Sequence, residues 1–259
     1  MPLLSKALSL AQKRAEESGV ELSLVIEDLS SGEKRCLKEN MVHSSASVIK
    51  VPLMMAVLED AGKDFLLTEK ISLDKINAVA FSVVTEMGEG IYTINEYLSW
   101  MIMESCNAST NVLIDLVGME RVNRIFSDLA MEQTILQRKM MDVEARKAGK
   151  DNLTSAQDMA TILRKIYHRE YFSEAACERG LQLMKKCRSD GLLLRYLTDP
   201  PVFAHKSGGL DEVSHDVGIF FGKKDLLVSA MSTNISSEEN DPKRTTLLGH
   251  LGRWLLKEE

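Results

Sequence analysis

Hydrophobic and polar residues alternate along the chain with two periods, and the changes between them define its organisation. Helical spacing over residues 7–17 gives way to a strand pattern at 21–29, a turn at 30–33 and a return strand at 34–37. The helical period then dominates and predicts helices at about 45–62, from Thr93 or Asn95 to 103, and at 108–118, 119–134, 154–168 and 174–187. Strand spacing returns near the C-terminus and predicts strands at 202–208, 216–221 and 226–232, before a last helix at 247–256.

Strands at both ends of the chain with helices between them favour an α/β fold of the α+β type. We expect one antiparallel sheet built from the N- and C-terminal segments, flanked by helices, and a second part that is all helical. Within a single domain of residues 1–259, segments 1–45 and 195–259 would form the sheet part and 46–194 the helical part. A groove between the two parts would bring together the helix start at Ser47, the polar break at Ser105 and the glycines after Ser207.

Composition removes several classes of function. The 259 residues are 44% hydrophobic, and 32 basic against 38 acidic residues leave a net charge of −6 without a basic stripe, so no nucleic-acid partner is expected. No apolar run is long enough to span a membrane. Four cysteines and five histidines show no metal-ligand spacing, so no metal or cofactor is expected. The N-terminus lacks a signal-peptide pattern, which predicts a cytoplasmic protein; a mature secreted form with an added Met1 has the same sequence appearance.

Candidate chemistry begins at Ser47, in the predicted first turn of an apolar helix. Lys50 follows three residues later on the same helix face, where its amine can reach the serine oxygen. Burial among Ile49, Val51 and Leu53 would lower the pKa of that amine and favour its neutral, basic form. The spacing predicts a nucleophile beside a base, although Ser-x-x-Lys alone is a weak motif.

Two further stretches strengthen the motif, because Ser105-Cys106-Asn107 and Lys206-Ser207-Gly208-Gly209 follow it in that order. Together the three resemble the Ser-x-x-Lys, Ser-Asp-Asn and Lys-Thr/Ser-Gly motifs of class A β-lactamases and penicillin-binding proteins. Flanking residues agree: Val51-Pro52-Leu53 follows the lysine, Met101-Ile102 precedes Ser105, and residues 110–118 follow Asn107. The resemblance spans nearly the whole chain and implies the fold of that family.

The resemblance also implies roles at the matching positions. Ser47 would attack a carbonyl with Lys50 as its base, and Ser105 would pass a proton to the leaving nitrogen. Asn107 would bind the substrate's side-chain amide, and Lys206 and Ser207 would bind its carboxylate. Backbone N–H groups of Ser47 and Gly209 would form the oxyanion hole, and Gly208 would let its strand approach the substrate.

Two departures from the family pattern change the expectations. Cys106 replaces the usual aspartate and is expected to pack as a small hydrophobe, not to act as a second nucleophile. In the loop that carries Arg-x-Glu-x-x-Leu-Asn in β-lactamases, Met140 stands where the glutamate that activates water would be. Asp142 and Glu144 are the candidates for a substitute deacylating group, against the simpler interpretation that they are solvated loop charges.

These observations predict a serine hydrolase that opens a β-lactam or a related carboxylated amide or ester through an acyl-enzyme. One alternative is a D-alanyl carboxypeptidase-like or other amidase or esterase with poor β-lactam turnover. Another is a penicillin-binding sensor that stays acylated. His205 and His215 flank the third motif, but Lys50 supplies a closer base than a Ser-His-Asp arrangement would. The expected partner is a small carboxylated molecule, and the sequence leaves the oligomeric state open.

Overall fold

A five-stranded antiparallel sheet joins the two ends of the chain in the computed structural model, which describes residues 3–88, 90–235 and 242–256. The strands are β1 Val20–Asp28, β2 Lys34–Leu37, β3 His43–Ser44, β4 Lys70–Ser72, β5 Ile91–Thr93, β6 Leu153–Thr154, β7 Val202–Leu210, β8 Val213–Phe221 and β9 Leu226–Asn234. In the main sheet the strand order is β2-β1-β9-β8-β7, so the N-terminal hairpin pairs with the last strand. Two small two-stranded sheets pair β3 with β6 and β4 with β5.

Helices cover both faces of the sheet. They are α1 Leu3–Ser18, α2 Lys50–Asp60, α3 Val83–Met87, α4 Ile94–Met103, α5 Asn107–Val117, α6 Met119–Asp128, α7 Val143–Lys147, α8 Ala156–His168, α9 Glu174–Met184 and α10 Pro242–Leu256. None of the helices in the described part of the chain is long and apolar enough to cross a bilayer.

Both faces of the main sheet are buried, and successive side chains of its strands enter different hydrophobic clusters. In β1, Leu24 and Ile26 pack with α1 and α10 in one hydrophobic cluster, while Val25 between them belongs to a second cluster. In β9, Val228 and Leu227 divide in the same way. A strand buried on both faces is rich in apolar residues, which is what these segments show. The predicted α+β fold class is confirmed.

Helix α2 is the centre of the helical layer. Its residues from Lys50 through Leu58 are all buried, and it contacts α4, α5, α6 and α9. A helix that is apolar on every side is stable only inside a core, so burial of α2 fixes the position of its first turn. That turn carries the serine and lysine of the first motif.

Three local predictions differ from the structure. The helix predicted from residue 45 starts as a 3-10 turn, Ala46–Ile49, before α2 begins at Lys50. Helix α8 is capped by Ser155, which accepts a hydrogen bond from the Asp158 N–H, and not by Thr154, which lies in β6. The charged stretch from Gln137 to Asp151, whose polarity predicts a surface loop, contains the short helix α7 and is partly buried.

Candidate active site

The 3-10 turn between β3 and α2 places Ser47 at the floor of a cleft of about 620 Å³. Ala46 just before it has φ +44°, a left-handed conformation that L residues adopt at a cost of about 1–3 kcal/mol. Strand β7 packs closely against this turn at Gly208. A Cβ added to Gly208 would lie 2.8 Å from the Ser47 nitrogen and 3.0 Å from the Val48 nitrogen. Only glycine permits this approach to the nucleophile turn, and the approach to a substrate expected of Gly208 stays a prediction.

Lys50 lies below Ser47 with no exposed surface. Its Nζ is 3.0 Å from Ser47 Oγ and 3.1 Å from Ser105 Oγ, so the amine lies between two hydroxyls. Burial, together with the nearby positive charge of Lys206, holds the pKa of Lys50 well below its ordinary value. The amine is therefore suited to accept a proton.

The hydrogen-bond partners of the Lys50 amine also accommodate its neutral form. Two atoms near Nζ can only accept: the Ser105 carbonyl oxygen at 2.7 Å and Asn107 Oδ1 at 3.0 Å. A neutral amine has two N–H donors, one for each of these oxygens, and one lone pair. The lone pair is then left for the O–H of Ser47 or Ser105, which is the arrangement that a general base needs.

The segment Ser105-Cys106-Asn107, between α4 and α5, forms one wall of the cleft. Ser105 has φ +54°, which directs both its carbonyl and its hydroxyl oxygen toward Lys50. Cys106 is fully buried in the core and caps α5, with its sulfur accepting from the Ser109 N–H at 3.5 Å. The residue packs as a small hydrophobe, as expected, but it also keeps a weak form of the capping contact that an aspartate would make.

Strand β7 supplies the third motif along one edge of the cleft. Ser207, Gly208 and Gly209 line the cleft. Lys206 is only 1% exposed, and its Nζ donates to the Ser207 carbonyl at 2.7 Å. Burial lowers the pKa of Lys206 from its ordinary value, while the neighbouring Cys187 and Asp216 act in the opposite direction. The structure brings the eight predicted catalytic and substrate-binding residues together around one cleft; their chemical roles stay predictions.

The loop opposite β7 closes the cleft and carries Met140. The Met140 backbone is held by Asn111, whose Oδ1 accepts from the Met140 N–H at 2.7 Å and whose Nδ2 donates to the Met140 oxygen at 3.1 Å. The side chain lines the cleft and is 7% exposed. A thioether is at most a weak hydrogen-bond acceptor, so Met140 cannot serve as a general base for water.

The two candidate substitutes are placed differently. Asp142 lines the cleft, but its Oδ1 caps α7 by accepting from the Ala145 N–H at 2.9 Å. The side chain of Glu144 is 84% exposed and pairs with Lys147, and Glu144 is not among the residues that line the cleft. Of the two, only Asp142 has a place from which it could reach a bound substrate, and its role stays a prediction.

The sequence interpretation missed the residues that hold this loop. Asn152 accepts from the Gln137 and Arg138 N–H groups, and Arg138 pairs with Asp151 at 2.7 Å. Asp151 also accepts from the hydroxyl of Ser44, next to the nucleophile turn. An asparagine within the apolar pattern of α5, such as Asn111, was a usable signal, since a buried amide needs hydrogen-bond partners.

The histidines lie outside the cleft. His43 contacts Thr233 Oγ1 and Ser23 Oγ at 2.7 and 2.8 Å, and His215 contacts the Ser44 carbonyl at 2.8 Å. His205 pairs with Asp216. Within 3–88, 90–235 and 242–256, no three His, Cys, Asp or Glu side chains are grouped in a way that could hold a metal ion.

Such a fold, with a Ser-x-x-Lys turn buried between a sheet edge and a helical layer, defines a β-lactamase-like serine hydrolase. The sequence profile of the Beta-lactamase enzyme family matches residues 5–258, so the chain belongs to that family, as its motifs predicted. No match was found among curated proteins.

Solved structures with the same fold are distant in sequence. A β-lactamase from Sphaerobacter thermophilus is 24% identical, with a TM-score of 0.88 over 97% of this chain and 96% of that one. PBP-A is 23% identical, with a TM-score of 0.88 over 99% and 96%. A β-lactamase from Chitinophaga pinensis is 22% identical, with a TM-score of 0.88 over 97% and 98%. These likenesses establish the fold.

Proposed function

We propose that the protein is an acyl-transferring serine hydrolase whose Ser47 is acylated by a β-lactam or a related carboxylated amide. The observation that carries this proposal is the position of the Lys50 amine, 3.0 Å from Ser47 Oγ and 3.1 Å from Ser105 Oγ in a fully buried site. Membership of the Beta-lactamase enzyme family supports the same chemistry. A mutant of PBP-A has been solved as an acyl-enzyme complex with penicillin G, which makes penicillin G a reasonable first probe.

In the proposed acylation, Ser47 Oγ attacks the substrate carbonyl carbon while its proton moves to Lys50 Nζ. The tetrahedral intermediate then collapses, and the C–N bond breaks. The proton passes from Lys50 through the Ser105 hydroxyl to the leaving nitrogen, so the amine returns to its neutral form. Backbone N–H groups at Ser47 and Gly209 would stabilise the oxyanion.

Substrate binding in this proposal depends on a charge and a hydroxyl at the β7 edge. Lys206 supplies positive potential from a buried position, and Ser207, which lines the cleft, offers the substrate carboxylate a directed hydrogen bond. Asn107 can offer its amide to the substrate only in part, since its Oδ1 already accepts from Lys50.

A second candidate function is a penicillin-binding protein or sensor that keeps its acyl group. The observation that favours it is Met140, whose thioether lines the cleft where a β-lactamase of this class has a glutamate. Without a base near the acyl carbonyl, water attack is slow, and a peptidase-like or sensing role follows from a long-lived acyl-enzyme.

The deciding experiment is the mass of the intact protein over time with penicillin G, for wild type and Ser47→Ala. An adduct of one ligand mass that disappears as excess penicillin is consumed supports a β-lactamase. An adduct that persists supports the second candidate. Ser30→Ala, which removes an exposed hydroxyl far from the cleft, should behave as wild type. An adduct that still forms on Ser47→Ala, or none on wild type, contradicts acylation of Ser47 by β-lactams.

A further inference from the structure

A second group of reactive side chains lies directly behind the substrate-binding edge. His205 precedes Lys206 on β7, and successive side chains of a strand point to opposite faces. The His205 ring stacks on the Phe203 ring, with 4.3 Å between the ring centroids, and His205 is not among the residues that line the cleft. The His205 side chain has room because its partner across the ladder is Gly218, where an added Cβ would lie 2.5 Å from His205 Cβ. Asp216 on β8 and Cys187, in the segment after α9, approach the same ring.

The imidazole of His205 is held by a buried carboxylate. Its Nδ1 lies 2.7 Å from Asp216 Oδ1, and the two side chains are 1% and 0% exposed. Although burial alone would lower it, the charge and hydrogen bond of Asp216, with a smaller effect of Cys187, raise the pKa of His205 to about 10. The ring is therefore an imidazolium at neutral pH, and Asp216 accepts from its Nδ1–H.

The second ring nitrogen of His205 has no oxygen or nitrogen partner. Nε2 is fully buried and makes no hydrogen bond of standard geometry within the described chain, which is unusual for a charged donor. The group beside it is the thiol of Cys187, close enough for each side chain to change the pKa of the other. An unsatisfied N–H next to sulfur is the arrangement that stabilises a thiolate.

Cys187 differs from the other three cysteines. Cys106 and Cys177 are buried, and Cys36 is partly exposed in β2, where burial raises the pKa of its thiol. Cys187 is also partly exposed. Burial alone would raise its pKa too, but His205, the charge of Lys206 and the Ser189 N–H together bring the pKa below its ordinary value. Cys187 thus combines a partly exposed position with a neighbouring histidine that lowers its pKa.

We propose that Cys187, His205 and Asp216 form a thiol-modification site that reacts with small-molecule disulfides. The Cys187 thiolate attacks one sulfur of the disulfide R–S–S–R, so that a new S–S bond forms as the old one breaks. The other half of the disulfide leaves as the thiolate R–S⁻, which takes its proton from water. The products are a mixed disulfide on Cys187, R–SH, and a His205 that stays paired with Asp216.

Modification of Cys187 should change substrate binding through its effect on Lys206. The negative charge of Cys187 favours the charged form of Lys206, and the mixed disulfide removes that charge. The segment that carries Cys187 also contacts the residues just before Ser105. The Arg188 N–H donates to the Met103 carbonyl, and the Arg188 side chain pairs with Glu104. Given the proposed function, we expect weaker binding of the substrate carboxylate after modification.

The test treats the native protein with dithiodipyridine, an aromatic disulfide, and follows intact mass and the labelled peptide. At about pH 6 we expect Cys187 to be labelled at least about tenfold faster than Cys36, the partly exposed internal control. Between about pH 6 and 9 the Cys187 rate should rise less than the Cys36 rate, because a lowered pKa leaves a larger thiolate fraction at the acid end of the range. A Cys187 rate that follows the same pH dependence as Cys36 overturns the proposal.

Two variants separate the ion pair from simple exposure. His205→Gln and Asp216→Asn should each restore ordinary pH dependence to Cys187, while Cys36→Ser should leave its labelling unchanged. Asp216 also accepts from the Leu193 N–H at 3.2 Å, so its variant could lose structure. The wild-type pH profile decides the question in that case.

The effect on the cleft is a separate measurement. Labelled protein should show a higher KM for a carboxylated substrate with little change in kcat, and Cys187→Ala should not respond to the reagent. A labelled protein with unchanged KM contradicts the coupling to Lys206. Labelling is read by mass and does not depend on Ser47, so failure of the proposed function would leave the thiol site testable.

Discussion

The two walls of the cleft differ in what their hydrogen bonds hold in place. The wall formed by the nucleophile turn and α5 holds a buried amine within 3.1 Å of two hydroxyls. The wall formed by the loop at 138–152 is also hydrogen-bonded, but these bonds hold the loop itself. Asn111 binds both backbone groups of Met140, and Asn152 binds those around Arg138. The first wall, called the acylation wall, carries the groups of the proposed acylation, and the second, called the loop wall, has a fixed shape but no base at Met140.

The difference shows that the shape of a site and its chemistry are separable. The loop is fixed by backbone hydrogen bonds to buried amides, and these do not depend on which side chain residue 140 presents. Catalysis of water attack does depend on it. The wall could therefore keep its architecture with or without deacylation chemistry.

The largest expected effect comes from removing the base on the acylation wall. Lys50→Ala should lower the rate of acylation by about 10³-fold, since general base catalysis contributes about 10²–10⁴-fold. The rate of adduct formation by mass or stopped-flow absorbance measures it. Lys75→Ala, at an exposed lysine, is the control. A Lys50→Ala rate within a few-fold of wild type would show that another group takes the serine proton.

A carboxylate at position 140 should give the loop wall the base that it lacks. Met140→Glu places a carboxylate on the backbone that Asn111 holds, and we expect the release of an acyl group to accelerate by about 10²-fold. Decay of the adduct after removal of free penicillin measures this rate. Met140→Gln has the same size without the base and should stay near the wild-type rate. Equal rates for the Glu and Gln variants would mean that the Met140 site is not where water is activated.

Removing the Asn111 amide, which holds the Met140 backbone, should affect the loop wall more than the acylation wall. Asn111→Ala leaves the Met140 N–H and carbonyl without partners and should lower the free energy of unfolding by about 1–3 kcal/mol. Urea denaturation measures it, with Asn40→Ala at an exposed position as control. If Asn111→Ala is as stable as its control, the loop does not depend on this amide.

The last expected effect depends on pH and concerns the histidines behind the junction of the two walls. Burial lowers the pKa of His43 to about 4 and, with the nearby His43, that of His215 to about 3. Unfolded histidines bind protons below about pH 6.5, whereas these native ones stay neutral, so stability should fall as the pH decreases from about 6.5 to 4. Each histidine contributes a slope of up to about 1.4 kcal/mol per pH unit.

Urea denaturation at several pH values tests this prediction. His43→Asn should flatten the acid slope relative to wild type, and His168→Gln, at an exposed histidine, should not. A wild-type slope that is unchanged in His43→Asn would mean that carboxylates alone cause the acid sensitivity.

Local patterns were sufficient for much of this structure. Alternation in 34–37 predicted β2 with its observed ends, and Thr93 was one of two predicted starts for the helix that it caps in a capping box with Glu96. The helix start near Ser47 was predicted from a polar-to-apolar boundary, but its first turn is 3-10, because β7 packs against it through Gly208. That contact joins residues 160 positions apart, and no local pattern encodes it.

By itself, the sequence determined the class of fold and the residues of the acylation wall, because helix and strand periods and three ordered motifs are properties of short segments. Only the tertiary structure decided which charges are buried and what they face. The lowered pKa of Lys50 follows from its burial and from the nearby charge of Lys206. The pairing of His205 with Asp216 and Cys187 follows from a strand register and a loop path. Burial and long-range contacts set pKa values, and these arise only when distant segments pack together.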